Sequence, residues 1–210
     1  MSELIVAIDG PAGSGKSTVA KALAARLGWS FLDTGAMYRA LTVEAFERGV
    51  DVHDAPALAA LSVSSLVRTL PRVSINGRDV EDNIRSYRVN EAVSVVAANP
   101  LVRASMVARQ RDFAEAQPVG TVVEGRDITT VVFPGATLKV FLSASLEERA
   151  RRRGDDEEEA SLARRDVADT TRSASPMRLA DDAIQIDTTS REVDDVVEEI
   201  AQCLQLKTLS

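Results

Sequence analysis

Apolar and polar positions along the chain switch between two periods. Leu4 to Ile8 is a short apolar run rich in β-branched residues, closed by Asp9-Gly10. That is the pattern of a strand buried within a parallel sheet. From Gly15 the period lengthens: Val19, Leu23 and Leu27 recur at every fourth position and Gly28 follows as a stop, which predicts a helix. Strand, glycine-rich loop and helix in that order make half of a βαβ unit. Phe31-Leu32 predicts a second short strand, and Asp33 to Gly49 a helix ended by glycine. Residues 54–70 read as a further helix, with Asp54 as N-cap and Pro56 in its first turn.

The pattern then changes. Residues 72–75 and 78–81 alternate around Asn76-Gly77, a strong hairpin signal. An antiparallel hairpin within a chain that otherwise alternates strand and helix reads as an insert. Residues 86–117 form two helical stretches broken at Asn99-Pro100. Thr121-Val122-Val123 predicts a strand ending at Glu124-Gly125-Arg126-Asp127, and Leu138 to Leu142 another, with a helix starting over 145–153. Residues 154–160 are a charge run expected to be solvated and mobile. Ala183 to Ile186 is the last predicted strand. Thr189 with Glu192 suggests a capping box for a final helix that buries Val193, Val196, Val197, Ile200 and Leu204. The expected fold is α/β: a parallel sheet flanked by helices, with an insert near 50–100 and a short lid near 150–170.

Composition narrows the function classes. The 210 residues suit one large domain or one with grafted inserts, and 45% apolar content is enough for a core. A formal charge of −7 argues against a face built to grip a nucleic-acid backbone, though a cleft can be locally positive on an acidic protein. One cysteine, Cys203, and one histidine, His53, make neither a disulfide framework nor a zinc site. No apolar run reaches the length of a membrane span, and the N-terminus lacks the pattern of a signal peptide. A cytoplasmic protein with no nucleic-acid or membrane partner is expected.

Gly10-Pro11-Ala12-Gly13-Ser14-Gly15-Lys16-Ser17 fits the P-loop pattern, and Thr18 continues it into the helix. Glycines let the backbone turn into an anion nest, and the following helix presents its positive end to the same place. Lys16 can reach the β- and γ-phosphates of ATP, and the Ser17 hydroxyl can join a Mg²⁺ shell, partly through waters. The strand before and the helix after are the context the motif requires. Neither the Asn-Lys-x-Asp string of a GTPase nor the Leu-Ser-Gly-Gly-Gln string of a transporter ATPase is present. Arg39, Arg103, Arg126, Arg165 and Arg172 each fall near a predicted turn or motif. Together they suit phosphoryl transfer to a second anionic molecule, where cations must neutralise both acceptor and moving group. Small-acceptor kinases of several kinds remain open at this point, as does a module that uses ATP only to change shape.

The stretches Asp9 to Thr18, Asp33-Thr34-Gly35-Ala36-Met37-Tyr38-Arg39, Gly125-Arg126-Asp127-Ile128, Val131-Val132-Phe133-Pro134 and Asp169-Thr170-Thr171-Arg172 resemble bacterial cytidylate kinases, over essentially the whole chain. The resemblance implies transfer of the ATP γ-phosphate to CMP and dCMP in pyrimidine nucleotide metabolism, with Mg²⁺, by a monomer. It implies a P-loop core of residues 1–39, 104–150 and 171–210, an acceptor-binding insert of 40–103 and a lid of 151–170. It assigns Thr34 and Arg39 to the CMP phosphate, with Arg126 and Arg172 as further phosphate-facing arginines. Ser94, Arg103 and Asp127 would read cytosine, and Arg165 and Asp169 would lie near the ribose. Lys16, Arg126 and Arg172 would carry catalysis. Other readings stay open: Ser94 as a plain helix-face serine, Asp127 as a cap, Asp33 as either a site residue or an N-cap. Two departures stand out. Thr129 replaces a glycine usual in the family, and the segment between Arg153 and Arg165 is shorter than in many members. Which of Arg149, Arg151, Arg152 and Arg153 would face ATP is open, since neighbours on a helix point about 100° apart.

Overall fold

The computed structural model describes residues 4–153, 159–172 and 174–209. In chain order the elements are β1 (Leu4–Asp9), α1 (Lys16–Leu27), β2 (Ser30–Asp33), α2 (Thr34–Glu47), α3 (Ala55–Ser64), β3 (Val67–Arg68), β4 (Ser74–Ile75) and β5 (Arg78–Asp79). They continue with α4 (Tyr87–Ala98), α5 (Pro100–Glu115), β6 (Gly120–Glu124), one π-type turn (Ile128–Val132), β7 (Leu138–Ser143), α6 (Leu146–Arg153), α7 (Glu159–Thr171), β8 (Ile184–Asp187) and α8 (Val193–Thr208). The chain divides into two compact units, Met1–Leu32 with Phe113–Ser210, and Asp33–Asp112. The boundaries implied by the family resemblance fall after 39 and after 103; the two units give α2 and most of α5 to the second.

In the first unit the sheet runs β2-β6-β1-β7-β8, with β1 central. β1 pairs in parallel with β6 (Ile8 opposite Glu124) and with β7 (Ile8 opposite Val140), and β7 pairs in parallel with β8. Val6, Ile8, Val122, Leu138, Val140 and Leu142 from the sheet share one buried cluster with Val19, Leu23, Val197, Ile200 and Leu204 from α1 and α8. A doubly flanked strand needs apolar residues at successive positions, and β1 has them: Ile5 to Ile8 are all buried. Consecutive strands β1 and β2 are separated in the sheet by β6, so the chain ends of β1 and β6 open side by side at the C-terminal edge. That edge is where open parallel sheets bind ligands.

In the second unit α2 presents Ala36, Ala40 and Val43 to Val73, Ile75, Val80, Ile84 and Val89. The expected hairpin is present, with Asn76 in a left-handed conformation (φ 53°) and Gly77 beside it (φ 81°). It carries a third strand that the pattern does not predict. Helix α3 stops at Ser64, not at residue 70, and Val67–Arg68 pairs antiparallel with Ser74–Ile75. The switch is made by Asn76, whose Oδ1 accepts from Leu66 N (2.8 Å) while its own N–H donates to Leu66 O (2.8 Å). Two contacts ten residues apart in sequence override a helical apolar pattern. The capping box is also absent: Thr189 Oγ1 donates to Asp187 Oδ1 (2.5 Å), and α8 opens at Val193 with Glu192 at its N-cap position. A carboxylate two residues upstream captures the hydroxyl before a helix amide can. Of the 154–160 charge run, residues 154–158 lie outside the described residues, while Glu159 and Ala160 open α7. Among the described residues no helix is long and apolar enough to cross a membrane.

Glu44 fastens the hairpin to α2. Its buried carboxylate accepts from Arg48 Nε (2.6 Å), Asn76 Nδ2 (2.9 Å) and Arg78 Nη2 (2.7 Å). Burial pulls its pKa upward, but these hydrogen bonds outweigh that and hold it below the ordinary 4.5. Its stabilising contribution is therefore full above pH 4.5 and is lost as pH falls through the lower folded-state value. Glu44→Gln should cost about 1–3 kcal/mol at neutral pH by denaturant unfolding. The difference from wild type should shrink on acidification; a gap that stays constant down to pH 3 would contradict the assignment.

Candidate active site

The loop leaving β1 has no room for a side chain at two of its glycines. A Cβ on Gly10 (φ 148°) would lie 2.0 Å from Leu142 O, and one on Gly13 (φ 79°) 2.9 Å from Arg149 Cβ. Gly15 caps α1 in a left-handed conformation (φ 85°), and the first helical bond runs from Val19 N to Gly15 O (2.9 Å). The amides of Lys16, Ser17 and Thr18 are thus first-turn donors at the positive end of the helix, the arrangement that attracts phosphate. Around them, Ser14 O accepts from Thr188 Oγ1 (3.1 Å) and Ala12 O from Arg149 Nη1 (3.1 Å).

Lys16 is buried, and its ammonium donates to Pro11 O (2.8 Å). Burial pushes its pKa down to about 7, the Arg126 guanidinium adds to that, and the Glu124 carboxylate works against it. A phosphate beside it would supply the countercharge it lacks. Ser17 Oγ donates to Glu124 Oε1 (2.6 Å), so a hydroxyl and a carboxylate converge next to the lysine. Hard oxygen donors of this kind suit Mg²⁺, which keeps several waters and needs only one or two protein ligands besides substrate phosphates. No group of three or more His, Cys, Asp or Glu among the described residues forms a fuller metal site.

Beyond the loop, four residues alternate in charge. Arg126 Nε donates to Asp169 Oδ2 (2.8 Å), Arg172 Nη1 lies 4.0 Å from Asp169 Oδ1, and Arg172 Nη2 donates to Asp127 Oδ1 (3.4 Å). The two arginines, 46 positions apart in sequence, come from the turn after β6 and from the residue that follows α7, and the carboxylates draw them together. Burial works against the charge on Arg126, but Asp169, Glu124 and Asp166 more than offset it and raise its pKa above the ordinary value. Arg165 is buried on α7 one helical turn before Asp169. In the second unit Thr34 opens α2 and is buried. Arg39 Nη1 donates to Ile84 O (3.1 Å) and Asn90 Oδ1 (2.5 Å). The Arg103 guanidinium sits 5.8 Å from the Tyr38 ring centre, a cation–π contact. Ser94 is half-buried on α4. Asp33 caps α2, accepting from Ala36 N (2.8 Å), and lies 3.9 Å from Arg85.

The model of the cytidylate kinase family matches residues 6–206. The chain belongs to that family. It is 50% identical to a cytidylate kinase of Geobacillus kaustophilus, over 94% of each chain. Its fold also matches a crystal structure from Thermus thermophilus (TM-score 0.56, 19% identity, all of both chains). A shikimate kinase of Acinetobacter baumannii shares it too (TM-score 0.50, 16% identity, 100% of this chain and 97% of that one). Fold likeness at such identities leaves the acceptor to the family.

Glu124 is a site residue that the sequence reading of this cytidylate kinase family member passes over. Its signal is present: a carboxylate at the C-terminal end of the strand beside β1 is where a P-loop protein keeps its metal-side acid. The four arginines between positions 149 and 153 also separate. Arg149 is buried, bonded to Ala12 O and to Asp166 Oδ2 (2.6 Å). Arg152 reaches the Thr188 carbonyl (2.5 Å), and Arg151 is exposed and paired with Glu148. Arg153 is close enough for its charge to help lower the pKa of Lys16. Glu124→Gln should raise the Mg²⁺ concentration for half-maximal turnover by about tenfold or more. An unchanged Mg²⁺ dependence in a folded variant would remove Glu124 from the metal side.

Proposed function

We propose that this protein is a cytidylate kinase that transfers the γ-phosphate of ATP to CMP or dCMP, giving CDP or dCDP and ADP. The observation that carries the reading is the phosphate loop of Lys16 and Ser17 in the same compact unit as the Arg126–Asp169–Arg172–Asp127 array, within a chain of this family. A loop alone would serve any nucleotide-driven protein; a second set of arginines held in ion pairs suits an acceptor that is itself a phosphate.

A nucleoside monophosphate is already anionic near pH 7, so its phosphate oxygen attacks without a strong general base. Catalysis then rests on positioning and charge neutralisation. Lys16 and the first-turn amides of α1 hold the β- and γ-phosphates. Mg²⁺, with Ser17 and Glu124 at its side, would screen the same oxygens. Arg126 and Arg172 turn from their carboxylates to the phosphates and neutralise charge that develops during transfer. In the second unit Thr34 and Arg39 are assigned to the acceptor phosphate and Ser94 and Arg103 to the base; in the first, Asp127 is assigned to the base and Arg165 and Asp169 to the ribose. Residues 151–170 act as a lid that excludes water. The enzyme works as a cytoplasmic monomer without nucleic-acid or membrane partners.

A coupled assay against CMP, dCMP, UMP and AMP tests the acceptor. Strong preference for CMP and dCMP is expected, and Arg103→Met should erode the preference for CMP over UMP more than it weakens ATP binding. Preference for a non-cytosine acceptor would overturn the reading. Lys16→Ala should lower kcat by at least about a thousandfold while the fold persists; ATP binding with no ADP release in the presence of CMP, in the wild type, would instead favour a nucleotide-driven regulatory module.

A further inference from the structure

Asp9 ends β1, directly before the glycine loop, and is fully buried. Three hydrogen bonds reach its carboxylate from one place 119 or more residues away: Oδ1 accepts from Ile128 N (2.9 Å), and Oδ2 from Thr129 N (2.8 Å) and Thr129 Oγ1 (2.6 Å). Ile128 and Thr129 open the π-type turn, whose later amides return to Asp127 O and Ile128 O. First-turn amides have no partner within their own turn, and a carboxylate there is favoured by the local dipole. Asp9 therefore caps a turn that it is not part of.

The residue before it completes the picture. Ile8 O accepts from Gly125 N (2.9 Å). The backbone from Gly125 to Thr129 is thus pinned at both ends to consecutive residues of β1, and the span between the pins is Arg126-Asp127. These are two of the four residues in the charged array, and Asp9 continues without a break into Gly10 of the phosphate loop. Thr129, which stands where the family resemblance leads one to expect glycine, uses its hydroxyl for the third bond. A threonine side chain has a ready use here because the carboxylate it meets is otherwise sealed from water.

We propose that Asp9 and Thr129 are positioning residues for phosphoryl transfer: the bond network between them fixes the Arg126-Asp127 span relative to the phosphate loop, so that Arg126 meets the transferred group at the right place. The inference deepens the reading of Arg126 as a phosphate-facing catalytic arginine and rests on it. Burial raises the pKa of Asp9, and the two amides and the hydroxyl work against that rise; losing the hydroxyl weakens the hold on the turn.

Thr129→Val keeps shape and removes only the hydroxyl bond. It should lower kcat by about tenfold with KM for ATP and for CMP within about twofold, and Thr129→Ser should restore kcat. In an Arg126→Met background, itself slower by about a hundredfold, the valine should cost less than about twofold more, because the group it positions is gone. A valine variant with full kcat and only a lowered Tm, or a loss that multiplies in the Arg126→Met background, would reduce Thr129 to a stabilising residue and overturn the proposal. Near-normal kcat in Arg126→Met alone would instead sink the reading of Arg126 on which it rests. Should Thr129→Val fold poorly, Asp9→Asn, which sets an amide donor against the Thr129 N–H, is expected to show the same kcat loss and the same lack of additivity.

Discussion

Three consecutive residues, Ile8 and Asp9 at the end of β1 and Gly10 after them, tie the phosphate loop to the segments that follow β6 and β7. The Ile8 carbonyl holds Gly125, the Asp9 carboxylate holds Ile128 and Thr129, and Gly10 passes so close to the Leu142 carbonyl that no side chain fits. Because β1 is the central strand, one short segment reaches the strand on either side. The phosphate loop, the segment bearing Arg126 and Asp127, and the start of the chain toward α6 all take their positions from it. A methyl group at Gly10 or an apolar residue at position 9 would disturb all three at once.

Charge balance is the second constraint. The protein is acidic overall, at −7, yet its site is crowded with Lys16, Arg126, Arg149, Arg165 and Arg172. Each cation whose partners are described sits against oxygens of its own unit: a carbonyl for Lys16, Asp169 for Arg126, Asp166 for Arg149, Asp127 for Arg172. Such pairing keeps buried guanidinium groups from carrying the full cost of desolvation. It also keeps them extended and oriented, so that phosphates can replace carboxylates as partners without the side chains first having to be ordered. In the proposed reaction, stability and phosphate recognition would fall to the same ion pairs.

Much of this was legible in the sequence, and what was not has a common cause. The phosphate loop, the sheet strands and the two helices broken at Asn99-Pro100 follow from local pattern, since glycine, proline and apolar period act within a few residues. The third strand at Val67–Arg68 depends on the side chain of Asn76, and the π-type turn on a carboxylate at position 9. No window of adjacent residues contains either cause. The lost capping box failed for the opposite reason: a nearer competitor, Asp187, took the Thr189 hydroxyl. Among site residues, Asp127 and Asp169 carry roles toward the nucleotide in the family resemblance, while the structure pairs them with Arg172 and Arg126. Glu124 was recoverable from its place at a strand end, and its bond to Ser17 makes the case.

What Arg126 and Arg172 face when both nucleotides are bound decides whether this chemistry holds. A crystal structure with a non-hydrolysable ATP analogue and CMP answers that directly. It should show Arg126 and Arg172 donating to phosphate oxygens, with Lys16 and the amides of residues 16–18 on the analogue's β- and γ-phosphates. Arginines still closed on Asp169 and Asp127, with both nucleotides bound and their phosphates held by other groups, would contradict it.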